Sequence, residues 1–432
     1  MSSARGSLVE RLGVLVVRVG FGLGRLRPVR AHVVLGGAEG ARQAGNLLYI
    51  RRELERRTPR IPVRFARYQT RPGLRGRIAG AVDALRAGYH LASARLFIVQ
   101  DSFFPMDAIT PRRGTMRVQV WHAAGAFKRF GYSELEEARG TGPATGMLVP
   151  LYANYDLCLV SSSSAVVHFM DAFHLPRDRF TGALGLPRTD LFFDEEGRAR
   201  ATGAIHRRYA PPTGRKVLLY APTFRGNPVD HPRHDDSLDL ALLRDKLAAD
   251  WVVLLRLHPL VRQSVRLSPD LAGFVIDVSD WPDLNELMLV ADLLVTDYSS
   301  AIFEFALLGR PMAFFAPDLD VYERERGFYF DVRAEVPGPI FETTRGLADY
   351  VAAGRFDVES VRAFASAWFD VADGHAAERF VDRVVLPALR GDIIRPDVDA
   401  WSVEIDPAPS PGPSPGPSPG PSPGGPPKAG ER

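Results

Sequence analysis

The hydrophobic positions of this chain fall into nine short runs rich in β-branched and aromatic residues. The runs lie at 32–35, 96–99, 118–121, 157–160, 217–220, 251–255, 274–278, 293–296 and 312–315. They are continuous rather than alternating, which is typical of strands buried on both faces of a parallel sheet. Helix-length segments such as Val82–Ala94 and Leu284–Ala291 separate several of the runs. The pattern therefore predicts β–α–β units.

Nine strands of this kind are more than one open sheet comfortably holds. We therefore predict an α/β fold with two Rossmann-like, doubly wound domains that face a cleft, the first at 31–195 and the second at 196–404. The chain has 432 residues, enough for two such cores. The segment Glu195–Thr213 is polar and contains Gly and Pro, so we expect it to be the hinge between the domains.

Residues 1–30 form a basic, amphipathic segment. Three arginines spaced by seven share one helical stripe: Arg11, Arg18 and Arg25. Another face carries four apolar residues: Leu8, Leu12, Leu15 and Val19. Arg18 leaves the apolar run shorter than the about 20 residues that span a bilayer, and no cleavage site of a secretory leader follows. We expect either a helix lying in the membrane interface or an ordinary amphipathic core helix.

Residues 405–432 have a different composition from the rest of the chain. The last 26 residues contain 11 of the 35 prolines in a repeating Ser-Pro-Gly-Pro pattern. Such a segment cannot bury enough apolar surface to offset the entropy of ordering its backbone. We therefore predict a disordered, semi-extended C-terminal tail.

Composition and charge narrow the classes of function. The chain is 46% hydrophobic and 24% charged, which is typical of a soluble globular protein. A single cysteine, Cys158, excludes a disulfide framework and fits a reducing cytosol. The net charge of +3 hides an uneven distribution, because residues 1–100 carry 19 arginines against five carboxylates, or +14, and the remainder carries −11. No aromatic-interleaved basic motif accompanies this excess, so an anionic membrane surface is expected as a partner rather than nucleic acid.

Polar side chains follow four of the predicted strands. In open parallel sheets ligands bind at the carboxyl ends of the strands, so these residues are candidates for a site. They are His122 and Lys128, Thr223 and Arg225, Arg256 and His258, and Asp297, Ser299 and Ser300 with Glu304. Histidines can act as general bases near neutral pH, and serines that open a helix are suited to binding phosphate. The Gly-rich fingerprints of NAD and ATP sites are missing from the sequence, so we expect no NAD or ATP cofactor.

The same segments resemble the CDP-glycerol glycerophosphotransferase family, the teichoic-acid primases and polymerases. The matching stretches are 119–122 with Lys128 and Gly131, then 185–190, 220–225, 256–259, 285–287, 296–300, 310–311, 326–331, 337–339 and 373–374. The likeness runs from about residue 115 to 385. One stretch departs from the family, which usually follows its first histidine with Gly-Thr-Pro where this chain has Ala123-Ala124-Gly125.

The resemblance implies a GT-B-like fold and transfer of glycerol phosphate, or a similar polyol phosphate, from a CDP-activated donor. The acceptor would be a hydroxyl of a cell-wall polymer or lipid-linked acceptor, and CMP would be released without a metal. His122 or His258 would be the base; we favour His122, which lies in the acceptor-side domain, with His258 stabilising the phosphate and Lys128 contacting acceptor or phosphate. The donor would bind to Thr223, Arg225, Arg256, Asp297, Ser299, Ser300 and Glu304. The enzyme would be cytoplasmic and peripheral at the inner face of the cell membrane.

Other functions stay open at the level of the sequence. A GT-B glycosyltransferase that uses a sugar nucleotide would share the fold and the cleft, but it would release UDP or GDP rather than CMP. A CDP-ribitol donor would also give CMP. A non-enzymatic protein that binds anionic polymers or a membrane surface would release no nucleotide, and it would not require His122 or His258.

Overall fold

The computed structural model of the protein describes residues 2–37, 44–69, 73–137, 149–226, 233–258, 261 and 267–392. Two six-stranded parallel sheets form its framework. The first sheet consists of β1 (Arg30–Gly37), β2 (Val63–Arg67), β3 (Ala94–Val99), β4 (Met116–Gln119), β5 (Leu157–Leu159) and β6 (Phe180–Thr181). The second consists of β7 (Lys216–Tyr220), β8 (Trp251–Leu255), β9 (Val275–Asp277), β10 (Leu293–Thr296), β11 (Met312–Phe315) and β12 (Ile340–Phe341). The predicted α/β architecture of two doubly wound domains is confirmed.

The order of the strands determines where each sheet can bind a ligand. The first sheet has the order β2-β1-β3-β4-β5-β6 and the second β12-β11-β10-β7-β8-β9. The direction of winding reverses between β1 and β3 in the first sheet and between β7 and β10 in the second. A crevice opens at such a reversal, beyond the carboxyl ends of the strands. The residues that follow β7 and β10 therefore lie at a binding position.

Helices pack on the faces of both sheets. Those of the first half are α1 (Ser2–Arg25), α2 (Asn46–Arg57), α3 (Gly73–Ser93), α4 (Phe104–Asp107), α5 (Tyr132–Glu137) and α6 (Val166–Phe173). The second half contains α7 (Glu195–Tyr209), α8 (Leu240–Leu247), α9 (Leu284–Val290), α10 (Ala301–Ala306), α11 (Leu319–Arg326), α12 (Val332–Glu335), α13 (Thr344–Ala353) and α14 (Val358–Trp368). The helices α15 (Ala376–Phe380) and α16 (Leu386–Arg390) are joined by a π-helical turn at Val381–Val385. α16 packs on β1 and β3, so the chain returns to the first sheet.

All nine predicted strands are present, and three more are added. β6 and β12 contain two residues each, and β2 is an edge strand with only one fully buried position. Strands that short or that exposed leave no continuous apolar run in the sequence. The expected hinge at Glu195–Thr213 is wrong for most of its length, because it contains the 15-residue helix α7. Asp194 caps that helix by accepting a hydrogen bond from the N–H of Gly197 at 3.0 Å.

The N-terminal helix α1 has one buried face and one exposed face. Val17 and Phe21 are 0% and 7% exposed and belong to the hydrophobic core. A Cβ on Gly20 would lie 2.1 Å from the carbonyl oxygen of Leu85, so this glycine allows α1 to pack closely on α3. The other face leaves five apolar side chains 49–60% exposed: Leu8, Leu12, Leu15, Val19 and Leu23. Among the described residues, no helix has the length and apolar content needed to cross a bilayer. The predicted tail at 405–432 lies outside the described residues.

Candidate active site

His122 and Asp101 form a hydrogen-bonded pair at the carboxyl edge of the first sheet. Asp101 follows β3 and His122 follows β4, and these neighbouring strands are paired with Val99 opposite Gln119. Nδ1 of His122 is 2.8 Å from Oδ1 of Asp101, and the two side chains are 51% and 40% exposed. A carboxylate on Nδ1 leaves Nε2 to accept a proton and stabilises the imidazolium that results. His122 is among the predicted residues, whereas Asp101 is not, although it follows the apolar run at 96–99 by two positions.

The backbone turns sharply just before His122. Trp121 has a φ of 47°, a left-handed conformation that costs a non-glycine residue about 1–3 kcal/mol. Its N–H donates to Oε1 of Gln119 at 2.9 Å. Nδ2 of Asn46 donates to the carbonyls of residues 120 and 121 at 2.7 and 2.9 Å, and the indole stacks on Phe130 with ring centroids 4.9 Å apart. These contacts hold the turn and orient His122 toward the cleft.

His258 follows β8 and approaches the cleft from the second domain. Burial lowers the pKa of His258 to about 4, with smaller contributions from the charges of Lys128, Arg256 and His122. The ring of His258 lies against Phe224, with centroids 4.7 Å apart. This lowered pKa favours the neutral ring of His258 at pH 7. Because its charged neighbours are cationic, a bound anion would raise its pKa and strengthen a hydrogen bond from the ring.

Polar side chains that hydrogen-bond to one another lie beyond the carboxyl ends of β7 and β10, where the winding of the second sheet reverses. Asp297 is 2% exposed and accepts hydrogen bonds from the main-chain N–H and the hydroxyl of Thr223 at 2.9 and 3.0 Å. Arg225 donates to Asp297 at 2.8 Å, to Asp318 at 2.7 Å and to Asp235 at 3.2 Å. Three of the predicted donor-binding residues thus bind one another. These three residues are held in place by their hydrogen bonds to one another, and the charge of Arg225 is balanced by carboxylates.

Ser299 and Ser300 differ in what their hydroxyls contact. Both precede α10, which begins at Ala301 and is six residues long. Oγ of Ser299 accepts a hydrogen bond from the N–H of Ala301 at 3.3 Å, as expected for a residue that caps a helix. Ser300 makes no capping hydrogen bond, and it lines the cavity that also contains His122 and Lys128. Ser300 is therefore better placed than Ser299 to contact a ligand.

Arg188 joins the two domains beneath the cleft, and the sequence motif 185–190 alone does not predict this role. Its guanidinium donates to Oδ1 of Asn285 at 3.0 Å and to the main-chain carbonyl of His122. Its Nε lies 3.4 Å from Oε1 of Glu304, and its main-chain N–H donates to Oδ1 of Asn46 at 2.9 Å. Glu304, one of the residues expected to bind the donor, is 2% exposed and faces Arg188. Burial raises the pKa of Glu304, whereas the charge of Arg188 lowers it.

The domains also meet at the segment where the sequence departs from the family pattern. The N–H of Tyr329 in the second domain donates to the carbonyl of Phe127 in the first at 3.2 Å. A Cβ on Gly125 would lie 2.4 Å from the ring of Phe303. Real Cβ atoms do not approach that closely, so glycine is required at position 125 for this packing of the two domains.

A cavity of about 190 Å³ lies between the domains. His122 and Lys128 line it from the first domain, and Ser300 and Arg326 line it from the second. Pockets that enclose a whole ligand begin at about 300 Å³, so this cavity matches the reacting end of a larger molecule. The cavity is therefore lined by His122, whose Nδ1 is hydrogen-bonded to Asp101, by Lys128, and by Arg326, which pairs with Glu134 in the same lining. His258 is not among the described residues that line it.

Two doubly wound parallel-sheet domains that face a cleft form a GT-B-like fold. The solved structure of the wall teichoic acid polymerase TagF has this fold, with a TM-score of 0.70 over 90% of this chain and 98% of that chain, at 23% identity.

Comparison of sequences identifies the family. The profile described as CDP-glycerol:poly(glycerophosphate) glycerophosphotransferase matches residues 25–386. A teichoic acid ribitol-phosphate primase from Bacillus spizizenii is 39% identical over 314 residues, which are 72% of this chain and 79% of that protein. A teichoic acid poly(ribitol-phosphate) polymerase from the same organism is 31% identical over 381 residues, 88% of this chain but only 60% of its own length. The chain belongs to the CDP-glycerol:poly(glycerophosphate) glycerophosphotransferase family, and it is a transferase.

Proposed function

We propose that this protein transfers a polyol phosphate from a CDP-activated polyol to a hydroxyl of a teichoic acid-type polymer or a lipid-linked acceptor, with release of CMP. The observation that carries the proposal is the pair formed by His122 and Asp101, which faces His258 and the neighbouring cations across the cleft. Family relatives are named for ribitol phosphate as well as glycerol phosphate, so both polyols belong to the substrate class.

The reaction begins at the acceptor hydroxyl, which is a weak nucleophile until it loses its proton. Nε2 of His122 takes that proton while Asp101 stabilises the imidazolium through Nδ1. The acceptor oxygen forms a bond to the phosphorus that carries the polyol. The bond from this phosphorus to the bridging oxygen breaks, and its electron pair leaves with CMP. The products are the extended acceptor, as a phosphodiester, and CMP.

The negative charge that gathers on the departing CMP requires compensation. Lys128 and Arg256 supply positive charge, and His258 can donate a hydrogen bond once the diphosphate has raised its pKa. Preorganised donors of this kind act strongly in a site that excludes water. We therefore propose that the chain's own cations are sufficient and that the transfer needs no metal. Activity that is unchanged by EDTA would support this, and activity restored only by a divalent cation would contradict it.

The identity of the released nucleotide tests the proposed function. Purified protein is incubated with an acceptor and, in separate reactions, CDP-glycerol, CDP-ribitol, UDP-glucose and GDP-mannose. We expect CMP from at least one of the two CDP-polyols, and no UDP or GDP. Release of UDP or GDP would favour glycosyl transfer. Tight binding of the acceptor without any nucleotide release would favour a binding protein.

We also propose that the protein binds the inner face of an anionic membrane through α1. The exposed apolar side chains of α1 are joined by three from α3 that are 40–75% exposed: Leu74, Ile78 and Val82. Exposed arginines flank these residues on both helices: Arg11, Arg25, Arg75 and Arg77. An apolar face bordered by arginine is suited to the boundary between acyl chains and anionic head groups. Arg18 is less available because its Nε donates to the carbonyl of Ala108 at 3.0 Å.

Paired substitutions test the membrane proposal without removing α1, whose other face belongs to the core. Leu12 and Leu15 are 52% and 56% exposed. Burial of the exposed part of each side chain in a membrane would therefore contribute about 1 kcal/mol to the binding free energy. We expect Leu12→Ser/Leu15→Ser to weaken sedimentation with phosphatidylglycerol vesicles about 30-fold, and added salt to weaken that of the wild type. Val167→Ser, at an apolar residue 61% exposed on α6, is the matched control. Equal losses in the two variants would contradict the assignment.

A further inference from the structure

A second cavity lies at the opposite edge of the first sheet from the cleft. It has a volume of about 280 Å³ and is bounded by the beginnings of β1 and β2 and by the end of α3. Because β1 and β2 are parallel, this is the amino edge of the sheet, whereas His122 lies beyond the carboxyl edge. The proposed transfer reaction makes no use of this cavity.

The lining of the cavity is basic. Three exposed arginines border it: Arg27, Arg30 and Arg64. None of the described residues that line it carries a carboxylate. Within the described part of the chain, these three arginines form no ion pair with an acidic side chain. Three cations thus lie together with no counter-charge from the described residues.

Two histidines line the same cavity, one buried and the other half-buried. His32 is only 8% exposed, and its Nε2 has no hydrogen-bond partner among the described residues. Nδ1 of His90 also lacks a partner among them, and the two rings lie edge to face with centroids 6.2 Å apart. Burial lowers the pKa of both rings, that of His90 to about 4, and the charges of Arg30, Arg64 and Arg86 lower them further. Buried polar atoms normally have a partner, so these two nitrogens indicate a ligand with groups that can form hydrogen bonds to them.

Helix ends at this edge would otherwise disfavour an anion. α1 and α3 both end here, and the carbonyls at the end of a helix carry partial negative charge. The guanidinium of Arg112 donates to the carbonyls of Gly24, Arg27 and Ala92 at 3.4, 2.8 and 2.9 Å. This fourth arginine neutralises both helix ends and leaves the cavity positive.

We propose that this cavity binds a phosphate ester, held by the guanidinium groups of Arg27, Arg30 and Arg64 and hydrogen-bonded by His32 and His90. A guanidinium group can donate two parallel hydrogen bonds to two oxygens of a phosphate. The cavity also has room for an esterified polyol beside the phosphate. Glycerol phosphate in solution and the head group of phosphatidylglycerol both carry this chemistry. The site is separate from the cleft, so it stands or falls independently of the proposed transfer.

Histidine-ring NMR of the full chain at pH 7 tests the site with glycerol 1-phosphate as the probe. Single His32→Gln and His90→Gln variants assign the two signals. We expect both signals to shift in a saturable way, and Arg30→Gln/Arg64→Gln to weaken the binding at least about tenfold. These arginines are exposed, so their replacement leaves the core intact. Arg56→Gln/Arg60→Gln removes the same charge from exposed positions outside the cavity and should leave the affinity unchanged.

A second arm distinguishes the two sources of phosphate. The same variants are sedimented with vesicles of phosphatidylglycerol or of phosphatidylcholine. A loss of phosphatidylglycerol binding that is specific to Arg30→Gln/Arg64→Gln would assign the site to the lipid head group. A response to glycerol 1-phosphate alone would assign it to a phosphate ester in solution. If neither probe distinguishes that variant from Arg56→Gln/Arg60→Gln, the proposal is overturned.

Discussion

Replacing Asp101 by asparagine is the sharpest single test of the proposed base. The substitution keeps the size of the side chain but removes the charge that lies 2.8 Å from Nδ1 of His122. An asparagine amide can also donate to Nδ1 and so favour the tautomer in which Nε2 carries the proton. In that tautomer Nε2 cannot accept a proton from the acceptor. We therefore expect kcat to fall, with KM for the donor little changed.

The size of the effect follows from distance and exposure. Two unit charges 4 Å apart interact by about 1 kcal/mol in bulk water and by about 4 kcal/mol at an effective dielectric constant of 20. His122 and Asp101 are closer than that, but they are 51% and 40% exposed, so the lower half of this range applies. A loss of about 2 kcal/mol corresponds to a decrease of about 30-fold in kcat.

The assay is the rate of CMP release from a CDP-polyol at saturating acceptor, measured from pH 5 to 9. The control is Asp178→Asn, which removes an exposed carboxylate in the same domain. Oδ1 of Asp178 lies 4.0 Å from Nε of Arg179, and neither residue belongs to the proposed site. Asp101→Asn should lower kcat across this pH range, whereas Asp178→Asn should not. A kcat of Asp101→Asn within threefold of the wild type would refute the role of Asp101.

Two further properties should change in a defined direction. Arg188→Gln leaves the carboxylate of Glu304 buried without its partner, so the free energy of unfolding in urea should fall by about 3 kcal/mol, and adding Glu304→Gln should restore part of the loss. An additive loss in the double variant would contradict the pairing. His258 has a pKa of about 4 in the folded protein against 6.5 when unfolded, so the unfolded state binds the extra proton first as the pH falls. Stability should therefore be lost between pH 6.5 and 4, by up to about 3 kcal/mol, and this loss should shrink in His258→Gln. An identical pH dependence in that variant would be inconsistent with a buried neutral histidine.

Much of the fold was predictable because the strands that build it are buried on both faces. The run at 251–255, for example, is apolar at every position and is fully buried as β8. The edge strand β2 could not be recognised in this way, since only one of its five residues is fully buried and two of them are arginines. The helix α7 was concealed for a different reason, because a polar surface helix resembles a linker in composition.

The candidate site was predictable only where it follows strongly apolar strands. His122 and His258 do so, and the topology brings both to the cleft. Asp101 could have been found by extending the same reasoning to the end of the run at 96–99. The pairing of Arg188 with Glu304 could not have been predicted from the sequence. The two residues are 116 positions apart, in different domains, and their contact depends on how those domains pack. The carboxylate partners of Arg225 could not be predicted either, because they come from three separate segments.

The central claim is that His122 and His258 together carry out transfer of a polyol phosphate in this cleft. The most direct test compares CMP release by the wild type, His122→Asn and His258→Asn, with acceptor and EDTA present, alongside calorimetric binding of the CDP-polyol. We predict that His122→Asn binds the donor normally but releases CMP at least about 100-fold more slowly, as expected for loss of a general base. His258→Asn should lower both donor affinity and rate. Undiminished CMP release by His122→Asn would contradict its role as the base, and undiminished release by both variants would contradict the assignment of the active site.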